Sequence, residues 1–85
     1  MRLELHYFAS TRDAVGKETE SREFAADVKT VGDVLSALEA EGDNYRAAFA
    51  EPSNLRFALD HVYVGIDAPV ADGAELGIFP PVTGG

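Results

Sequence analysis

The 85-residue chain contains no cysteine. That absence excludes disulfides, thiolate metal sites and any sulfur chemistry relayed through a side-chain thiol of this chain. Basic residues are also scarce: 7 lysines and arginines stand against 15 aspartates and glutamates, a formal net charge of -8. Such a balance repels a phosphate backbone, so nucleic acid is not an expected partner. The acids are spread along the chain, and they fit either a solvated surface or steering toward a basic partner. No signal peptide and no apolar run of membrane-spanning length is present. No membrane association is therefore expected, and the expected address is cytoplasmic. His6 and His61 are the two histidines, each isolated and neither in metal-ligand spacing. Ser10, Ser21, Ser36 and Ser53 lack a nucleophile-elbow context, and the glycines are scattered apart from a final pair, so no phosphate loop exists. The carboxylates form no acid–base dyad that spacing reveals. The expectation is a chain that is not catalytic by itself and binds no metal or cofactor.

What is present is concentrated at the end. Gly84 and Gly85 close the sequence. Two residues without Cβ make a slim, flexible tip that fits a narrow site on a partner, and the α-carboxylate is the one group there to activate. The alternative is a frayed terminus of small residues. Pro80 and Pro81 precede Val82-Thr83-Gly84-Gly85. Two prolines end a strand and stiffen the exit into an extended spacer. Beyond them, four extended residues reach at most ~14 Å, enough to pass a protein wall and too little for a long linker.

One domain, 1–85, is expected, with 80–85 as its tail. Residues 2–8 alternate, placing Leu3, Leu5 and Tyr7 on one face and Arg2, Glu4, His6 and Phe8 on the other, a half-buried strand. Residues 9–18 read as turn chemistry, with a tight corner at Gly16-Lys17. Thr19 to Phe24 is a weaker, polar strand near an edge, with Phe24 as its core residue. Thr30 caps the main helix, with Asp33 completing a near capping box. Val31, Val34, Leu35 and Leu38 form its apolar stripe, and Gly42 is the expected stop. A short helix covers about 44–50, with Tyr45 and Phe49 paired and Pro52 ending it. Residues 57–59, 62–66 and 74–79 read as strands, with Val62, Val64 and Ile66 on one face, Leu76 and Ile78 inward, and a turn at Asp72-Gly73. The order predicts an α+β domain with a mixed sheet over one main helix.

Strand phase also predicts a surface. If Leu3, Leu5, Tyr7, Val62, Val64, Leu76 and Ile78 face the core, then Phe8, Tyr63 and Phe79 face away from the helix. Grouped exposed aromatics mark a protein interface. Coverage by a loop, or a one-residue slip of phase, is the alternative.

The ending Phe79-Pro80-Pro81-Val82-Thr83-Gly84-Gly85 closely resembles the terminus of the molybdopterin synthase small subunit family, which are ubiquitin-like sulfur carriers. The segment Phe8 to Gly16 is similar to that family's pattern of phenylalanine and alanine followed by arginine, an acid and a glycine. The helix start Thr30 to Leu35 and the Asp72-Gly73 turn match less specifically. Ala74, where relatives often carry an acid, and Asp60-His61, where they commonly carry asparagine, depart from the pattern. The resemblance implies a β-grasp fold whose first and last strands lie parallel. Phe8 and Arg12 would then sit beside the root of the tail, with Arg12 a donor for a partner's carboxylates or simply solvated.

The resemblance also implies a reaction and its partners. An adenylyltransferase of the ubiquitin-activating type would use ATP and magnesium to adenylate Gly85, and a sulfur donor protein would convert it to a thiocarboxylate. The charged chain would dock on the large synthase subunit in a heterotetramer. Its tail, Pro80, Pro81, Val82, Thr83 and Gly84, would thread into that subunit, and sulfur would pass to cyclic pyranopterin monophosphate. Two other uses of the same carboxyl remain open: a thiamine-pathway sulfur carrier, and an archaeal-type modifier that forms isopeptide bonds.

Overall fold

The computed structural model describes residues 1–81. Val82, Thr83, Gly84 and Gly85 lie outside the described residues. Strand β1 (Arg2–Tyr7) is followed by helix α1 (Ala9–Val15) and strand β2 (Thr19–Glu23). Helices α2 (Val31–Glu39) and α3 (Asp43–Ala48) come next, then a 3-10 turn at Pro52–Asn54. Strands β3 (Arg56–Leu59), β4 (Val62–Val64) and β5 (Glu75–Phe79) complete the order. The five strands form one sheet in the order β2-β1-β5-β3-β4, with β1 and β5 parallel and the other pairs antiparallel. This is the α+β, ubiquitin-like β-grasp architecture.

Period-two alternation places Leu3, Leu5, Tyr7, Leu76 and Ile78 on the inner face, each essentially buried. Val31, Val34, Leu35 and Leu38 of α2 enter the same core, as do Tyr45 and Phe49. Burial of each such large side chain contributes roughly 1.5–3 kcal/mol, which outweighs the marginal intrinsic stability of a nine-residue helix. Thr30 caps α2 as expected: its hydroxyl accepts from the Asp33 N–H at 3.2 Å, and Asp33 Oδ2 accepts from the Thr30 N–H at 3.2 Å. Phe24 is buried at the end of the edge strand β2, also as expected.

Three local expectations are corrected. Residues 9–15 form a helix, not a turn; Gly16 ends it in the left-handed region at φ 88°, donating to the Arg12 carbonyl. The helix has no side-chain cap, but its buried residues Thr11 and Val15 are one turn apart. Gly42 does not end α2, which stops at Glu39 with Ala40 as its C-cap; Gly42 instead precedes α3. A Cβ on Gly42 would meet Asn44 Oδ1 at 2.7 Å, so glycine leaves room for Asn44 to reach the Val15 carbonyl at 2.9 Å. The strand expected over 62–66 stops at Val64 and leaves Ile66 in the turn beyond it, and Val62, which carries the inward phase opposite Leu59, remains 64% exposed. Val62 lies on an edge strand with a sheet neighbour on one side only.

A polar network ties β2 to this core. Glu20 accepts hydrogen bonds from the Tyr7 hydroxyl (2.8 Å), the Tyr45 hydroxyl (2.6 Å), Arg22 (3.2 Å) and Lys17 (3.3 Å). Arg22 also forks onto both carboxylate oxygens of Glu41, which follows α2. Burial pushes the Glu20 carboxyl up, but the bonds from Tyr45, Tyr7, Arg22 and Lys17 outweigh it and hold the group below the usual carboxylate range. Burial raises both phenols, and the Glu20 charge raises them further. A carboxyl depressed in the folded state stabilises the fold fully above its unfolded value, near 4.3, and loses that contribution as pH falls through the folded value. Glu20→Gln is therefore expected to lower stability at neutral pH by about 2 kcal/mol. It should also flatten the loss of stability below about pH 4. Urea melts of both proteins at neutral and acid pH measure this, and an equally steep acid limb in the variant would contradict it.

Candidate functional site: the aromatic face and the tail root

The outer face of the sheet is set by register. His6, Gly77, Ala58 and Tyr63 form one row across β1, β5, β3 and β4, and Arg56 and Phe79 share the next. Phe8 follows β1 and extends its pairing, donating its N–H to the Ile78 carbonyl at 3.1 Å. The rings of Phe8 and Phe79 meet edge to face at 5.8 Å, and those of Tyr63 and Phe79 at 5.6 Å. Tyr63 is 72% exposed and Phe8 48%, with Phe79 half-buried between them. The three rings thus form one patch on the face opposite the helices. Gly77 is its floor: a Cβ there would meet Phe8 Cε2 at 3.4 Å and Phe79 Cε1 at 3.9 Å. The glycine was not singled out from sequence, and its place between Leu76 and Ile78 on a buried strand was the available signal.

The patch adjoins the root of the tail. Phe79 ends β5, and Pro80 and Pro81 follow half-buried. On the helix side the two prolines border a groove of about 460 Å3, walled by Ser10 and Ala14 of α1, Ala47 of α3, and Leu55. Small residues on both helices keep it open. The parallel pairing of β1 and β5 brings both strands out at the same end, which is why Phe8, α1 and the tail root are neighbours. Arg12 lies on α1 with its Nε 3.7 Å from Asp13 Oδ1, half exposed; it does not border the groove or the patch. Gly85, Gly84, Thr83 and Val82 lie outside the described residues.

Tyr63 is aimed by a strained hairpin. Asp60 and His61 form the two-residue loop between Leu59 and Val62, at φ 47° and 71°. Positive φ at both positions suits the right-handed twist of the strands but usually selects Asn-Gly. Here β5 clamps the loop: the Glu75 N–H donates to Asp60 Oδ1 at 3.0 Å, and the Asp60 N–H donates to the Glu75 carbonyl at 2.9 Å. This gives the Asp60-His61 departure a physical setting. His61→Gly is expected to raise stability by roughly 0.5–1 kcal/mol, relief of left-handed strain exceeding the entropy cost of glycine. Thermal melts test it, and a lower midpoint would contradict it.

Among the described residues no group of three or more His, Asp or Glu is arranged to hold a metal ion. No described helix is long and apolar enough to cross a membrane. The arrangement is an exposed aromatic face beside the half-buried prolines at the root of the tail.

The ThiS family model matches residues 5–85. The molybdopterin synthase sulfur carrier subunit of Escherichia coli is 37% identical over 83 residues, 98% of this chain and 99% of that protein. Small archaeal modifier protein 3 of Haloferax volcanii is 35% identical over 96 residues, with 100% of each chain covered. A chain in the complex of subunits 1 and 2 of the molybdopterin-converting factor from Helicobacter pylori matches with a TM-score of 0.64. That match covers 100% of both chains at 22% identity, a likeness of fold alone. With nearly the whole chain matched by the family model and by relatives above 30% identity, the protein belongs to the ThiS family of ubiquitin-like sulfur carriers.

Proposed function

We propose that this chain is the sulfur-donating small subunit of a molybdopterin synthase, with Gly85 as the residue that carries sulfur. The observation that carries the reading is the aromatic face at the tail root, Phe8, Tyr63 and Phe79, in a chain 37% identical to a molybdopterin synthase sulfur carrier subunit. The face fixes the domain on a partner, and Pro80-Pro81 direct the tail away from it. The Gly85 carboxylate attacks the α-phosphate of ATP on an activating enzyme, giving an acyl adenylate and pyrophosphate. The terminal sulfur of a donor persulfide displaces AMP, and a second thiol cleaves the resulting S–S bond, leaving the thiocarboxylate. That sulfur then attacks cyclic pyranopterin monophosphate in the large subunit. The lack of cysteine supports this reading, because it leaves no side-chain thiol on which the sulfur could be carried instead. A large-subunit partner is supported by the Helicobacter pylori complex, in which subunits 1 and 2 of the converting factor associate. The chain's net charge of -8 suits a basic docking pocket.

A second reading is favoured by the 35% identity to small archaeal modifier protein 3: the same activated Gly85 forms isopeptide bonds with lysines. Affinity purification of the tagged chain from its own cells separates the two. The synthase reading predicts stoichiometric recovery of one large-subunit protein without covalent ladders. A ladder of isopeptide conjugates with no such protein would favour the modifier.

A further inference from the structure

Phe8, Tyr63 and Phe79 do more than present an apolar surface. With Ala58, Gly77, His61 and Glu75 they line an open cavity of about 250 Å3 on the outer face. Its walls are aromatic, its floor is the Cβ-free backbone of Gly77, and a carboxylate stands at its edge. Glu75 stands there with His6 Nε2 3.5 Å from one oxygen and His61 Nε2 3.7 Å from the other. About a third of its side chain stays accessible. Glu4, opposite Glu75 in the register, adds a second negative charge to this face.

Arg56 shares the outer face, but its guanidinium donates to the Ser53 and Leu55 carbonyls, at 3.2 and 2.9 Å. Arg12 pairs with Asp13. No arginine is among the residues lining the cavity. Aromatic faces attract cations, and a carboxylate beside them adds charge and two acceptor oxygens. Of the two basic side chains, arginine fits better. Its planar guanidinium stacks on a ring while forking onto a carboxylate, whereas an ammonium is a compact and strongly hydrated point.

We propose that the cavity bounded by Phe8, Tyr63, Phe79 and Glu75 receives an arginine side chain of the protein that docks on this face, making Glu75 a specificity-determining residue. The inference rests on the docking role given to this face under the proposed function, and it adds the chemistry the partner must present there. The hairpin clamp does not use the Glu75 carboxylate, because the bonds to Asp60 run through the Glu75 backbone. Glu75→Gln therefore removes the charge while keeping the shape and the hairpin clamp.

Two measurements test it. In the first, the chain alone is titrated with N-acetylarginine amide, and with N-acetylnorleucine amide as an uncharged control, while the ring signals of Phe8, Tyr63 and Phe79 are followed by NMR. Saturable shifts of the three rings are expected with the arginine probe, weaker by about fivefold or more in Glu75→Gln and absent with norleucine. In the second, binding to the large synthase subunit is measured for wild type, Glu75→Gln and Phe79→Asp, with thermal midpoints recorded for each. Glu75→Gln should bind about tenfold more weakly at an unchanged midpoint, with a shallower dependence on salt. Equal ring shifts in Glu75→Gln would overturn the inference. So would unchanged binding of Glu75→Gln while Phe79→Asp fails to bind, which leaves the docking face intact. Full binding by both variants would overturn the docking role itself, and the arginine pocket with it.

Discussion

Adding one alanine after Gly85 is expected to abolish sulfur transfer while leaving the thermal midpoint unchanged. The large buried side chains of the described core end at Ile78, and a residue added at a chain terminus is expected to contribute little to stability. Activation, in contrast, needs a carboxyl carbon at one distance from the docking face. Pro80 and Pro81 take up the chain directly after β5, so the distance is counted from a fixed root. One added residue displaces the carboxylate by about 3.3 Å or more. A misplacement of ~1 Å can already cost about a hundredfold in rate. Deleting Gly85 should fail for the same reason. Replacing Gly84 with a bulky residue should fail because a side chain would meet the walls of the partner's channel. The check pairs a sulfur-transfer assay with calorimetry of each variant. A chain ending in the extra alanine that supports cofactor synthesis at the full rate would sink the carrier account.

Phe79→Asp is expected to weaken the complex with the large subunit by at least ~2 kcal/mol, the scale of an interface hot spot. Phe79 is the ring both neighbours contact, Phe8 on one side and Tyr63 on the other. A carboxylate in its place would break both aromatic contacts and add a further negative charge to the face that carries Glu75 and Glu4. The side chain lies on the outer face and is not among the buried core residues, so the domain should stay folded. Calorimetric titration against the large subunit, with circular dichroism of the free chain, reads both outcomes. Full-strength binding by a folded variant would show that this face is not where the partner docks.

The parts of this arrangement that follow from period were legible before any coordinates. Alternation in 2–8 and 74–79 placed Leu3, Leu5, Leu76 and Ile78 inside, and so placed Phe8 and Phe79 outside. The Thr30–Asp33 box announced α2 because both of its hydrogen bonds are local. Helix α1 was not legible: seven residues without a side-chain cap carry little periodic signal, and packing against α3 and β5 decides it. Gly42 misled because a glycine after an apolar stripe suits a helix stop as well as the space it makes for Asn44. Val62 had the right phase, but phase says nothing about how far the core extends across a sheet. The parallel pairing of β1 with β5 came from family resemblance, since no local pattern distinguishes it from an antiparallel neighbour. Glu75 escaped notice because its setting between His6 and His61 is assembled from three separate stretches of chain.

The central claim is that Gly85 carries sulfur, and intact-mass spectrometry tests it most directly. The purified chain is incubated with its activating enzyme, ATP, magnesium and a persulfide donor, and the same mixture without ATP serves as the reference. The account predicts a mass gain equal to replacing one oxygen by sulfur, localised by fragmentation to Gly85 and absent without ATP. An unchanged mass in the complete mixture, or a sulfur found anywhere but on the terminal carboxyl, would contradict it.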